Sequence, residues 1–562
     1  MSWFFSQWRG IFNVMKTLKQ ELKEVILKYA GRVDFDILTP PDPKLGDYSV
    51  NLAFVLAKKE KKSPTEVGKK LVQQFSKDKE FKKYFSNIEL AGAGFVNFYL
   101  SEEFLRGQLS EILEKKDKFG SQENKGLNIN LEFVSANPTG PLTVANVRAA
   151  SFGDTLANVF KKTGYEVTKE YYINDAGNQV RLLGESVARR YLRLKGKIIE
   201  FPDNLYQGEY ITDIAKEIEE EGSVAEDENF DKLVEVCKNY AIDKLLASAK
   251  KSMADLGVSF DVWFSEKNLY ESGEVENTLK MLKKGKHLYE KDGARWLKID
   301  DSGEHDAVVV KSDGSNSYLM ADIAYTRNKF NRGFNKAINI WGSDHHGDVP
   351  RLKAGVKALG YEEDRLEILL HQLVFIKSGG ELQRMSKRKG EFVLLDDLLK
   401  EVGKDVIRFF FMMKDLNTHM EFDLDLAKEQ SKKNPVFYIQ YAYARLNQIF
   451  TKSKEQGARS KKETDLNLLK EPEELQLIRK MVKFPELIED IAQNYQVHHL
   501  AQYTSELAGD FHNFYEKHHV VQDDKKLEKA RLALCQAIAI VLENSLDLMG
   551  LSAPKRMDNP ER

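Results

Sequence analysis

The chain has 562 residues, 42% of them hydrophobic and 31% charged, which is ample apolar material for three or four domains and excludes a scaffold built on disorder. Its 85 basic and 87 acidic residues nearly cancel, so a uniformly basic nucleic-acid coat is excluded and any polyanion must be held by a local patch. Two cysteines, Cys237 and Cys535, exclude a disulfide framework or a cysteine-based zinc ribbon and point to a reducing cytoplasm; no apolar run is long enough to span a membrane.

The opening MSWFFSQWRGIF is apolar but broken by Gln7, Arg9 and Gly10, with no small-residue cleavage site, and reads as a helical start. From Met15 to about Leu100, helical periodicity in TLKQELKEVILKYA gives way to a turn-rich stretch, a helix and the strand of AGAGFVNFYL, which predicts a small α+β module. Gly92 and Gly94 begin a dinucleotide fingerprint, but Asn97 stands where the third glycine belongs and no helix follows, so a turn into a strand is expected. A helix from about Glu103 to Lys116 leads into the polar linker DKFGSQENKG.

A strand–loop–helix alternation starts at Leu127 with LNINLEFV, the turn SANPTGPL and a small-residue helix to about Lys162. It repeats in YEVTKEYYI, NDAGNQ and a helix through RRYLRLK, and again in AINIWGSDHHG, VPRLKAGVKALG and RLEILLHQLVFIK. Such alternation predicts a parallel, doubly wound sheet with ligands at the carboxyl ends of its strands. Between the halves, from about Gly196 to Val262, a charged helical stretch with EIEEEGSVAEDENFD reads as a solvated face. After about Asp425, long amphipathic helices without strand signals or a repeat period predict a bundle.

Three loops at strand ends carry chemistry. The basic RMSKRKG, Arg384 to Gly390, suits polyphosphate but alone reads as a solvated turn; SANPTGPL and GSDHHG at the ends of other strands of the same sheet make it part of a site. His345 and His346 have no third or fourth ligand at suitable spacing, so no metal site is expected.

In the first module GDYSVNLAF and AGAGFVNFYL, in the central part EFVSANPTGPL, YYINDAGNQ, DVWFSE, YLMADIAY, WGSDHHGDVPRLKA and RMSKRKG, and in the bundle NPVFYIQYAYAR, FHNFY and LSAPKRM together resemble the arginyl-tRNA synthetases, over nearly the whole chain. The resemblance implies an α/β fold with three parts. These are an N-terminal tRNA-binding α+β module over 1–118, a class I Rossmann-type catalytic domain over 125–425 with a helical insertion near 190–300, and a C-terminal α-helical anticodon-binding bundle over 426–562. It implies ATP-dependent activation of arginine and transfer to tRNA in the cytoplasm by a monomer, with magnesium accompanying ATP.

By the same resemblance Lys387 contacts the phosphates, helped by Arg384, which replaces the first lysine of the usual KMSK, and by Met385 and Ser386. Gly342, Asp344 and His345 meet the adenosine. Ser135 and Asn137 orient the backbone end of arginine, while Asp322, Glu266 and Tyr318 receive its guanidinium; Tyr318 and Asp322, at i and i+4, share a helix face. Tyr438, Tyr441, Tyr515 and Met557 resemble anticodon-stacking positions, although tyrosines at helical spacing are more often core.

The chain departs from the family at its His-x-Gly-His signature, which falls on positions 143–146: Thr143, Val144, Ala145 and Asn146 stand there. Thr143 and Asn146 keep hydrogen-bonding groups without a cationic form, and Ala145 adds a methyl where adenine lies. Thr326 and Tyr443 also occupy positions where related sequences carry histidine. The leading expectation is an arginine–tRNA ligase with an altered signature. A second is a relative that binds arginine or tRNA without adenylation, and a third, a generic nucleotidyltransferase, explains neither the first module nor the bundle.

Overall fold

The computed structural model describes residues 16–40, 42–222, 229–299, 306–383, 393–455 and 464–557. The first module opens with helix α1 (Leu18–Ala30), capped by Thr17 and Gln20. Strands β1 (Ile37–Leu38), β2 (Tyr48–Val50), β3 (Phe85–Ala91) and β4 (Phe95–Leu100) form an antiparallel sheet in the order β1-β2-β4-β3. Helices α2 (Leu52–Glu60), α3 (Pro64–Phe75) and α4 (Lys79–Tyr84) lie between β2 and β3, and α5 (Glu102–Lys115) follows. Gly92 and Gly94, both at positive φ, make the tight turn between β3 and β4, the structural role expected for them.

The central region alternates as expected: β5 (Asn128–Glu132), α6 (Val144–Lys162), β6 (Glu166–Ile173), α7 (Asn178–Leu194), α8 (Glu209–Glu221), α9 (Phe230–Asp255) and β7 (Val262–Ser265). Two short helices, α10 (Glu266–Glu271) and α11 (Glu274–Lys284), precede a small antiparallel sheet of β8 (Leu288–Lys291), β9 (Ala294–Leu297) and β10 (Ala307–Val310). Then come α12 (Tyr318–Asn331), β11 (Lys336–Gly342), α13 (Asp348–Ala358) and β12 (Leu366–His371). Five parallel strands are ordered β12-β11-β5-β6-β7, so the order reverses between β5 and β11 and a crevice opens at their carboxyl ends. Helix α6 follows β5 and packs on the sheet with most of its residues buried, and an added Cβ at Gly153 would collide with the Phe133 ring, which is why a glycine sits where α6 meets the sheet.

Three expectations differ in detail. The range near 190–300 is not purely helical, because β7 joins the parallel sheet at its edge and β8 and β9 follow. The charged run is more than a solvated face: Leu183, Val187, Ile211, Ile214, Ile218 and Cys237 give α7, α8 and α9 a core of their own. Its residues 223–228 lie outside the described residues. RLEILLHQLVFIK splits after His371, where β13 (Val374–Ser378) leaves for a second sheet with β14 (Glu381–Gln383) and β15 (Met420–Asp423).

Helices α14 (Leu395–Val402), α15 (Lys404–Met412) and α16 (Leu424–Lys428) bridge to a bundle of α17 (Pro435–Glu455), α18 (Pro472–Val482), α19 (Phe484–Asn494), α20 (His498–Lys517) and α21 (Lys525–Leu548). One contiguous apolar core joins first module, sheet and bundle. Arg408 on α15, with no exposed surface, ties the last two together. It donates to Asp154 Oδ2 on α6 (2.7 Å), to the Met549 carbonyl after α21 (2.8 Å) and to the Gly257 carbonyl after α9 (3.3 Å).

A candidate active site at the carboxyl ends of the parallel strands

At the amino end of α6 the altered signature folds onto itself. The Thr143 backbone N–H (3.0 Å) and hydroxyl (3.3 Å) both donate to Asn146 Oδ1, so the two side chains close the first helical turn between them. The same turn pairs with the chain that follows the basic loop: Val144 N–H donates to the Val393 carbonyl (3.1 Å) and Leu395 N–H to the Leu142 carbonyl (3.0 Å). Ala145, half-buried, follows on the helix. Arg384, Met385, Ser386 and Lys387 lie outside the described residues.

Beside that turn the loop after β5 carries Val134 (φ +69°) and Ser135 (φ +38°), two consecutive left-handed residues of types that disfavour the conformation. The Ser135 hydroxyl donates to Glu132 (2.9 Å) and accepts the Tyr172 N–H (3.1 Å); Asn137 donates to Gln179 (2.8 Å). Across the switch point, β11 ends at Gly342, where an added Cβ would collide with the Asp344 carboxylate. Asp344 and His345 are exposed, and His345 Nδ1 lies 3.3 Å from Asp348.

A group of neighbouring side chains here is acidic. Glu266, buried at the junction of β7 and α10, has its carboxyl pushed up to about 7 by burial and then by Asp175. Asp322, one turn into α12, is pushed up to about 8 by burial, then by Glu132 and Glu266. Neither has a cationic partner among the described residues, whereas nearby acids do: Glu132 accepts from Lys329 (2.6 Å) and Glu170 from both arms of Arg332 (2.6 and 2.7 Å). Tyr318 heads α12 with its ring exposed, and Thr326 spends its hydroxyl on the Asp322 carbonyl (2.8 Å). An acidic floor with unbalanced charge, reached from a helix amino end and a glycine turn, can hold a cationic small molecule with a nucleotide beside it.

The chain matches three family models: arginyl tRNA synthetase N terminal domain over residues 13–100, tRNA synthetases class I (R), catalytic domain, over 108–423, and DALR anticodon binding domain over 439–557. It is 45% identical to the arginine–tRNA ligase of Thermotoga maritima over 97% of this chain and 100% of that one, and 46% identical to that of Carboxydothermus hydrogenoformans over 93% and 94%. The chain belongs to the arginyl-tRNA synthetase family. Its fold is also that of Thermus thermophilus arginyl-tRNA synthetase, with a TM-score of 0.77 at 21% identity, covering 96% of this chain and 100% of that one.

In the bundle of this arginyl-tRNA synthetase fold, Tyr438 packs on His512 (4.6 Å between centroids), and Arg445 lies over both Tyr441 (4.6 Å) and Tyr515 (5.2 Å). Tyr441 is only 7% exposed, so Tyr438 and Tyr515 offer more open ring than it does. Met557 is half-buried near the carboxyl terminus, and Tyr443 is buried. Sequence reasoning missed Glu132 and Asp175, whose charges raise Asp322 and Glu266, and Tyr172, which hydrogen-bonds Glu266. Tyr172 had a readable signal, since it alternates with Glu170 along β6 and therefore faces the same side.

Proposed function

We propose that the protein is an arginine–tRNA ligase that forms arginyl-adenylate from arginine and ATP and transfers the arginyl group to the terminal adenosine of tRNA(Arg). The observation that carries this reading is the pair Glu266 and Asp322, two desolvated carboxyl groups with no ion-pair partner among the described residues, a partner that a guanidinium supplies with bidentate geometry. With the guanidinium on this floor and Tyr318 over it, the arginine carboxylate points toward Ser135, Asn137 and the signature turn. It attacks the α-phosphorus of ATP in line; the bond to the β-phosphate oxygen breaks and pyrophosphate leaves. Charge gathers on the phosphate oxygens and the leaving group, and donors aimed there lower the barrier.

Those donors are the amino end of α6 with Thr143 and Asn146, and, from the basic loop, Lys387 and Arg384 with Met385 and Ser386. Val393, which follows that loop in the chain, is hydrogen-bonded to the signature turn, and this supports the assignment. Gly342, Asp344, His345 and Ala145 receive the adenosine. Magnesium arrives with ATP as part of the substrate. A hydroxyl of the tRNA terminal ribose then attacks the adenylate carbonyl and AMP departs. Tyr438, Tyr441, Tyr515 and Met557 are proposed to meet the anticodon loop, with Tyr441 engaged only if Arg445 gives up its ring.

The division into 1–118, 125–425 and 426–562, the monomeric state and the cytoplasmic location belong to the same proposal. ATP–pyrophosphate exchange and aminoacylation, each with and without tRNA(Arg), test it with arginine against its neutral isostere citrulline. Turnover with arginine and none with citrulline is expected. Binding of arginine and tRNA without turnover overturns the ligase reading.

A further inference from the structure

The loop that meets the amino acid holds an unfavourable backbone, and two tyrosine hydroxyls hold the loop. Val134 and Ser135 are both left-handed, and a β-branched residue rarely stays there unless its surroundings fix it. Tyr171, on β6, donates to the Ala136 carbonyl (3.0 Å) and so ties the loop to the sheet. Tyr210, on α8, donates to the Thr139 carbonyl (2.7 Å) and ties it to the three-helix unit of α7, α8 and α9. Asn137 sits between the two held carbonyls, in a turn closed by Thr139 N–H donating to the Asn137 carbonyl (2.8 Å).

The chain makes room for Tyr210 on both sides. An added Cβ at Gly208 would collide with its ring, and one at Gly140 would stand 3.3 Å from its hydroxyl oxygen. We infer that Tyr210 is a positioning residue: through the Thr139 carbonyl, the seating of the three-helix unit sets the strained loop in the geometry from which Ser135 and Asn137 orient arginine. This rests on the ligase reading. It adds to that reading a residue that touches no substrate and a route by which whatever binds the three-helix unit reaches the activation step.

Tyr210→Phe removes only the hydroxyl. Tyr240→Phe is the control, since it removes a hydroxyl hydrogen bond in the same unit, to Glu221 (2.8 Å), away from the loop. In Tyr210→Phe, kcat for pyrophosphate exchange at saturating arginine, ATP and tRNA(Arg) is expected to fall about tenfold, with KM for ATP unchanged, because misplacing a reactant costs rate more than binding. Amide hydrogen exchange is expected to rise over residues 135–142 and nowhere else, and Tyr240→Phe to match wild type in both measurements. An unchanged kcat in Tyr210→Phe overturns the proposal, as does faster exchange spread over all of α7, α8 and α9, which would mark a merely structural role. If wild type itself does not turn over, the ligase reading falls and exchange alone decides the clamp: equal loop exchange in wild type and Tyr210→Phe then overturns it.

Discussion

Asp322 and Glu266 are carboxylates whose ionisation the protein disfavours until a cation arrives. Their values of about 8 and about 7 lie above the ordinary carboxylate range, so both are largely protonated in the free protein at slightly acid pH. The unfolded chain ionises them near pH 4 while the folded protein holds their protons to about 7 and 8, so they lower its stability progressively from about pH 4 to about pH 8. A guanidinium reverses the preference and expels the protons. Arginine affinity is therefore expected to rise with pH up to about 8 and then level off. Calorimetry of arginine binding at pH 7 in two buffers of different ionisation enthalpy should show net proton release, and zero release would contradict the assignment. Asp322→Asn should cut that release and raise KM for arginine by about a hundredfold, the scale of a desolvated charge pair losing one partner.

Both carboxylates were legible in the sequence because WFSE and YLMADIAY resemble the family's stretches. The reason their charge is unbalanced was not legible. Lys329 pairs with Glu132 across 197 positions and Arg332 with Glu170 across 162, and no local pattern reveals which of several acids in a crevice will be left over.

The amino end of α6 is the element on which the proposed phosphate chemistry turns. Its own side chains close its first turn, so changing them acts on helix and reaction together. The triple variant Thr143→His, Ala145→Gly, Asn146→His removes the hydrogen bonds from Thr143 to Asn146, worth roughly 1 kcal/mol as a cap. It should lower the melting temperature by about one degree while raising the pyrophosphate exchange rate tenfold or more, since charged donors replace neutral ones. Differential scanning calorimetry and exchange kinetics on one preparation check both signs. A lower melting temperature without faster exchange would place the limiting step elsewhere.

At this scale the order of strands and helices around the crevice followed from periodicity, but β7 and the sheet of β8, β9 and β10 did not. Strands of four residues hold too few alternations to register, and only pairing with distant partners makes them strands. The core of α7, α8 and α9 was hidden for a related reason. Its apolar stripe is embedded in so many charges that the average composition masks it.

Across the whole molecule, Arg408 joins regions that two separate family models match. Asp154 receives Arg408 at one oxygen and Lys169 at the other (2.8 Å), so the carboxylate is fully paired although buried. Arg408→Met would leave Asp154 with a single cation and the Met549 and Gly257 carbonyls without their donor. A loss of about 3–5 kcal/mol is expected, measured as a shift of the urea midpoint. Tyr48, which donates to Glu486 (2.6 Å), fixes the first module on the bundle in the same manner. The contiguous core predicts that wild type melts in one cooperative transition, and separate transitions for first module and bundle would show these junctions to be weak. Such contacts span hundreds of positions, beyond any reading of local sequence.

Threonine and asparagine carry no proton to lose or gain at ordinary pH. The turn at the head of α6 therefore presents the same charge to an acid or an alkaline medium, whereas an imidazole would switch near neutrality. On the proposed reading, the response to acidity sits instead in Glu266 and Asp322, so that pH sets how tightly arginine is held while the side chains of the α6 turn keep one charge throughout.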